Sequence, residues 1–432
     1  MKKVFVTGVA LLAACLSLWA QEPADSVSSL SLGLDEACKY AVEHNRSVQS
    51  ASLAVRQSEM ARWQAIASML PQVSADLVYT NMCGYEMNMA GYSIAMNPYG
   101  NISVKAAIGL NGQSVVSALL AKVSVEMSEV SVAKTTQAIE SNATTVYVSI
   151  LATEQTLELL NRNVENLNEL YAMQSKAVEV GAAEQVDADQ IKVQVVSLKN
   201  SVNNVERQVE ILYNSLRLLL GVGVDTEITL TQTLDDVVNP ETIMALLGND
   251  LTLADNYDYQ LAEKQVQLAE KQKQLAAMAY TPTLSAYYQY AALTYFGQEE
   301  GFNMTPPNTV GVSLSVPIFS SGNRYAAVKE KRHALDAANL SLADTKDQLE
   351  VSDRQYRYNL STSYEDYQVQ KENMEVVQRV FDNIANKYKY GYSSSLDLTN
   401  ASTNLISAQS SYVSSLTQMI TAYVNLKNLL NK

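Results

Sequence analysis

A chain of 432 residues with only 16 glycines and 8 prolines has room for two or three domains and favours long helices over loop-rich folds. Its formal net charge of −14 argues against nucleic-acid binding, which needs a basic surface. The two histidines, His44 and His333, lie far apart without ligand-type neighbours, and the chain has no Gly-rich phosphate loop, Cys/His cluster or Gly-x-Ser-x-Gly elbow. Neither a metal site, nor a cofactor, nor an enzyme is therefore expected.

Met1–Ala20 reads as an export signal, with Lys2 and Lys3 before an apolar core and cleavage after Ala20. Leu12-Ala13-Ala14-Cys15 leaves a second reading open, a lipoprotein signal that would make a lipidated Cys15 the N-terminus. Beyond it no stretch has the roughly 18 uninterrupted apolar residues of a membrane-spanning helix. Cys38 and Cys83 are expected to be unpaired thiols.

Leu34–Met69 reads as one helix, with Asp35 and Glu36 in its first turn and Pro71 at its end. The period then changes to two. Val73, Ala75, Leu77 and Tyr79 alternate with Ser74, Asp76, Val78 and Thr80 in a two-faced strand. Asn81–Gly100 is expected to be a loop, and Ile102–Leu110 a second alternating strand. Val115–Val178 contains no proline or glycine and reads as one helix, or two nearly continuous ones, roughly 100 Å long. Gly181 breaks it. The next helix, to Leu220, carries Ile191, Val195, Leu198, Val202 and Val205 at alternating steps of four and three, a heptad seam returning antiparallel.

Val222–Asp255 is a connector, with strand-like alternation over Glu227–Leu234 and a short helix expected over Pro240–Leu247. The chain then repeats itself. Asn45, Gln49 and Pro71 match Asn256, Gln260 and Pro282, while Gly181, Asp187, Ser197 and Tyr213 match Gly391, Asp397, Ser407 and Tyr423. Strands are expected at Leu284–Tyr290 and Val310–Ile318, with Phe296–Asn308 as their loop. A second long helix covers Asn323–Lys389, and Gly391 makes the second turn. The expected divisions are a signal at 1–20, a first repeat at 21–221, a connector at 222–255 and a second repeat at 256–432.

Strands of roughly ten residues suit a tilted crossing of an outer-membrane-type bilayer. Four of them cannot close a barrel, and an open sheet edge cannot sit in lipid. Either the chain borrows strands from other copies, or the four form a small soluble sheet.

The order helix, two strands and long helical hairpin, run twice, resembles the TolC-like outer-membrane channels of Gram-negative efflux and secretion systems. Leu32-Gly33-Leu34-Asp35-Glu36-Ala37 with Asn45 resembles the family's N-terminal helix. Val316-Pro317-Ile318-Phe319-Ser320-Ser321-Gly322 resembles its exit from strand four, and Tyr388-Lys389-Tyr390-Gly391-Tyr392 with Leu396-Asp397 its helix turn. The resemblance implies a mainly α fold with a membrane β-barrel, built as a homotrimer. Twelve strands would cross the outer-membrane lipid, and twelve helices would form a periplasmic tunnel girdled by segments such as Val222–Asp255. It implies passive conduction from a periplasmic adaptor and an inner-membrane pump of the RND or ABC type, in efflux or type I secretion. A non-channel structural coiled-coil protein of the cell envelope is the alternative; it would leave the four strands unexplained.

By the same resemblance the adaptor meets the tunnel tip at Gly181, Ala182, Ala183, Gly391, Tyr392, Ser393 and Ser394. Asp187 and Asp397 each stand six residues past a turn glycine. Facing inward, they would give the trimer two carboxylate rings at a gate, with Tyr388; otherwise they are helix N-terminal residues favoured by the local dipole. The family's arginine two residues after the second glycine is Ser393 here, and a further inner aspartate is Asn400. The family's arginine lock is thus absent, with Lys387 and Lys389 as possible substitutes.

Overall fold

The computed structural model describes residues 29–89, 92–95, 97–296 and 306–432. The expected signal, with Cys15 and Ala20, and the loop glycines Gly297 and Gly301 lie outside these residues.

The first half runs β1 (Ser29–Leu32), α1 (Leu34–His44), α2 (Arg46–Ala67), β2 (Gln72–Thr80), β3 (Glu86–Met89), β4 (Tyr92–Ala95), β5 (Tyr99–Leu110), α3 (Gly112–Glu179) and α4 (Gln185–Leu220). A connector follows with β6 (Glu227–Leu230), α5 (Leu234–Val237) and α6 (Pro240–Leu246). The second half runs α7 (Tyr257–Ala277), β7 (Thr283–Tyr295), β8 (Asn308–Ser315), α8 (Asn323–Lys389) and α9 (Ser395–Leu430).

Three features differ from the expected elements. The helix expected over Leu34–Met69 breaks at Asn45, whose backbone is extended (φ −66°, ψ 127°) and whose Oδ1 accepts from the Ser47 N–H. The carboxamide thus ends one helix and starts the next. The loop expected over Asn81–Gly100 contains the β3–β4 hairpin, paired from Glu86↔Ala95 to Met89↔Tyr92. The fourth strand stops at Ser315 instead of Ile318, ahead of Pro317, which has no N–H to give a ladder.

The principal sheet has the order β2-β5-β7-β8, antiparallel throughout. Its register carries the alternation of each strand across the whole sheet. On one face Val73, Ala106, Tyr288 and Val310 lie in a row, followed by Ile108, Ala286 and Val312, then Leu110, Leu284 and Leu314. On the other face the rows are Ser74, Lys105, Gln289 and Thr309, and Gly109, Ser285 and Ser313. Ser285 and Ser313 share a hydrogen bond of 2.7 Å, and the Lys105 ammonium stands 5.1 Å from the Tyr287 ring centre. The apolar face is bare, with Leu77 77 % and Val310 75 % exposed. The outer strands β2 and β8 have no partner on their far edges among the described residues.

The helices α3 and α8 have 68 and 67 residues, about 100 Å each. Each folds back through a glycine in the left-handed region, Gly181 (φ 75°) and Gly391 (φ 77°), into a return helix of 36 residues. The heptad seams bury Leu160 and Leu167 of α3, Ile191 and Leu198 of α4, Phe381 of α8 and Leu398 and Leu405 of α9 in one core near the turns. A second core nearer the sheet collects Tyr147, Leu216, Leu360, Leu416 and Leu426 with Ile228 and Ile243 of the connector. Here β6 pairs in parallel with β1, and the fully buried Tyr147 donates its hydroxyl to the Leu32 carbonyl at 3.1 Å.

Candidate functional site

The two hairpin tips are built alike. Gly181 and Ala182 donate to the carbonyls of Val178 and Ala177, and Gly391 and Tyr392 to those of Tyr388 and Lys387. Each pair is the two-bond helix ending in which a left-handed glycine lets the chain turn while satisfying the last carbonyls. Gly181, Ala182, Gly391, Tyr392 and Ser394 are exposed, Ala183 and Ser393 half-buried. These residues, taken in sequence as an adaptor contact, form one end of the molecule.

The two aspartates have different surroundings despite their equivalent positions. Asp397 closes a capping box. Its N–H donates to Ser394 Oγ at 3.1 Å, and its Oδ2 accepts from the Ser394 N–H at 3.0 Å, from Ser394 Oγ at 2.7 Å and from Ser393 Oγ at 3.1 Å. The Ser394 side-chain bond, then its backbone bond, then the Ser393 hydroxyl hold this exposed carboxyl below the usual range. Asp187 has no such box. The N-cap of its helix, Glu184, makes no side-chain bond, and Asp187 Oδ1 accepts from Ser395 Oγ at 2.8 Å, across the gap to the other hairpin.

Tyr388 completes this contact. Its hydroxyl is buried without a hydrogen-bond partner among the described residues, and its pKa is pushed up by burial first and by the negative charge of Asp187 second. The structure therefore groups Asp187 with Tyr388 and with Ser395, a residue that sequence reasoning missed. Ser395 is 7 % exposed and has Gln185 at its equivalent place, so the repeat gave no sign of it. Asp397 and the exposed Asn400 lie outside the grouping, one turn apart on α9. Lys387 and Lys389 form no ion pair among the described residues.

At the other end is the two-faced sheet. Among the described residues no helix is long and apolar enough to cross a membrane. No three His, Cys, Asp or Glu side chains converge as metal ligands among the described residues.

The family model for the outer membrane efflux protein matches residues 38–222 and 249–432. Among relatives, the antibiotic efflux pump outer membrane protein ArpC and the toluene efflux pump outer membrane protein TtgC, both of Pseudomonas putida, are 24 % identical over 297 residues. That match covers 67 % of this chain and 59 % of each relative, so the chain spans under two thirds of their length. CusC, a solved transmembrane channel, superposes with a TM-score of 0.74 at 15 % identity, covering 96 % of this chain and 95 % of its own. The CmeC outer membrane channel of Campylobacter jejuni gives 0.74 at 15 % identity, covering 92 % of this chain and 85 % of its own. The open MtrE outer membrane channel of Neisseria gonorrhoeae gives 0.74 at 16 %, covering 94 % and 93 %. The two matched segments take in both hairpins and the whole principal sheet. The chain belongs to the outer membrane efflux protein family, with its sheet placed in the outer membrane and its long hairpins in the periplasm.

Proposed function

We propose that the chain is the outer-membrane channel of a tripartite pump, assembled as a homotrimer and conducting substrates passively to the exterior. The observation that carries this reading is the sheet, with one continuous bare apolar face, one polar face and two open edges. β2 and β8 run in opposite directions, so β8 of one copy can pair antiparallel with β2 of the next. Three copies then make a closed barrel of twelve strands, with lipid against the apolar face and solute against the polar one. The repeats at 21–221 and 256–432 supply a strand pair and a helical hairpin each, and 222–255 girdles the tunnel. A coiled-coil rod would leave the apolar face without a partner.

The tip residues Gly181, Ala182, Ala183, Gly391, Tyr392, Ser393 and Ser394 are the docking point for a periplasmic adaptor, which couples the channel to an RND or ABC pump in efflux or type I secretion. Replacing Ala182 and Tyr392 together by arginine should abolish transport with trimer yield unchanged; unchanged transport would place docking elsewhere. The gate is formed by Asp187 with Tyr388, and by Asp397 with Asn400. Across a trimer the aspartates present carboxylates that attract cations and raise the cost of passing anions. Single-channel recording in planar bilayers tests both channel and gate. Discrete conductance steps, with cation block weakened in Asp187→Ala, are expected. No conductance would refute the channel, and unaltered block in Asp187→Ala with Asp397→Ala would refute the gate.

A further inference from the structure

One departure of the repeat from itself lies on α9. Gln409 occupies the place in the second half that Lys199 occupies in the first. Lys199 is exposed, as a charge on a solvated helix face should be. Gln409 is 2 % exposed, and among the described residues neither Oε1 nor Nε2 of its carboxamide has a hydrogen-bond partner. A buried amide with both ends unmet is costly, so the structure should supply something to meet them.

The carboxamide lines a half-open cavity of about 560 Å³ between α3, α4 and α9. Leu160, Val205, Leu212, Ile406 and Val413 give it an apolar part. Its hydroxyls are partly committed already, since Thr153 and Thr156 donate to the carbonyls of Ser149 and Ala152 on their own helix. Among the described residues no charged side chain lines the cavity. A charged occupant would lose its hydration without an opposite charge to replace it. A purely apolar occupant would leave the Gln409 amide unmet, and water alone would wet the five aliphatic side chains poorly.

We infer that this cavity binds a small uncharged amphiphile carrying an adjacent donor and acceptor, such as a carboxamide, beside an aromatic or aliphatic body. The Gln409 amide pairs with the donor and acceptor, and the aliphatic residues cover the body. The volume is that of small-molecule sites in general. The occupant touches α3 and α4 of one hairpin and α9 of the other, so it braces the two hairpins against each other. A second carboxamide cannot form in the first repeat, where the lysine stands, so each chain carries one such site.

The test uses the detergent-extracted full chain and three probes of similar shape: benzamide, benzoate and ethylbenzene. Binding is read by ligand-observed saturation-transfer NMR, and the site by cryo-electron microscopy of the protein soaked in benzamide. Benzamide should bind in this cavity at least tenfold more tightly than benzoate or ethylbenzene. Gln409→Leu, which keeps the volume and removes the amide, should abolish that preference while keeping the trimer intact. Ile406→Trp, which fills the cavity, should abolish binding of all three. Equal binding of the three probes, benzamide density elsewhere, or a cavity filled by a side chain of a neighbouring copy or by ordered water that benzamide does not displace would each overturn the inference. Should Gln409→Leu fail to assemble, the preference of the wild-type protein for benzamide over benzoate and the position of its density decide the matter alone.

Discussion

Asn45 and Asn256 make equivalent contacts in the two halves: Asn45 donates Nδ2 to the Leu219 carbonyl at 2.9 Å, and Asn256 donates Nδ2 to the Leu429 carbonyl at 3.0 Å. Each also caps the helix it precedes, Asn45 accepting from the Ser47 N–H and Asn256 from the N–H groups of Asp258 and Tyr259. One buried carboxamide thus joins the start of a short helix to the end of a long return helix, twice in the chain. It satisfies orphan groups at both helix ends, one a donor and the other an acceptor.

Asn45→Ala and Asn256→Ala should each destabilise the fold by about 1–3 kcal/mol, from the lost cap and the unmet carbonyl. Asn45→Asp keeps the cap acceptor but sets a buried carboxylate oxygen against the Leu219 carbonyl in place of the donor, so its cost should be at least that of Asn45→Ala. The temperature at which the assembled protein dissociates on a semi-native gel measures all three. No shift for either alanine variant would show that these contacts do not hold the helices together.

Gly311 faces Tyr287 directly across the β7–β8 ladder, on the polar face of the sheet. A Cβ at Gly311 would stand 2.4 Å from the tyrosine ring, so the ring lies over the glycine and no larger residue fits without moving it. Gly311→Ala should lower the yield of assembled protein, and adding Tyr287→Ala should restore part of it. Outer-membrane fractionation of the single and double variants reads this out, and equal losses in the two would refute the ring-over-glycine contact.

The fold was legible where a pattern is local or duplicated. Heptad seams, strand alternation and the glycine turns each depend on residues close in sequence, and the repeat checks each against its copy. The break at Asn45 was missed because Leu34–Met69 contains no proline or glycine at that point. Its signal was there in the match to Asn256, which begins α7. The pairing of β1 with β6 joins residues almost two hundred positions apart, and a four-residue Ser-Leu-Ser-Leu alternation is too short to announce its partner. At the tip, the sequence placed Asp187, Tyr388 and Asp397 at one end of the molecule. It could not show that Asp187 reaches Ser395 on the other hairpin while Asp397 is held by its own, because that depends on how two helices face each other.

The Asp397 carboxyl has a clear pH consequence. Its pKa in the folded chain is depressed by hydrogen bonds to the ionised form, so its contribution is present above the ordinary carboxylate pKa and is lost as pH falls through the lowered folded value. Amide hydrogen exchange over 393–398 should therefore speed up, beyond the ordinary dependence of exchange on pH, as the solution is acidified below the usual carboxylate range. Asp397→Asn should exchange faster than wild type at neutral pH and lose this acid-induced change. An Asp397→Asn profile parallel to wild type would show that the capping box does not control the end of α9.

The β3–β4 hairpin joins β2 and β5 at the end of the sheet away from the helices. An epitope inserted at Asn88 should bind antibody on intact cells. Binding only after permeabilisation would invert the topology.

The central claim is that each chain supplies a third of a barrel and closes its two open sheet edges against other copies. Native mass spectrometry of the detergent-extracted protein tests it most directly. Three copies per particle is the expected result; a folded monomer that stays in solution without detergent would contradict the barrel and the tunnel together.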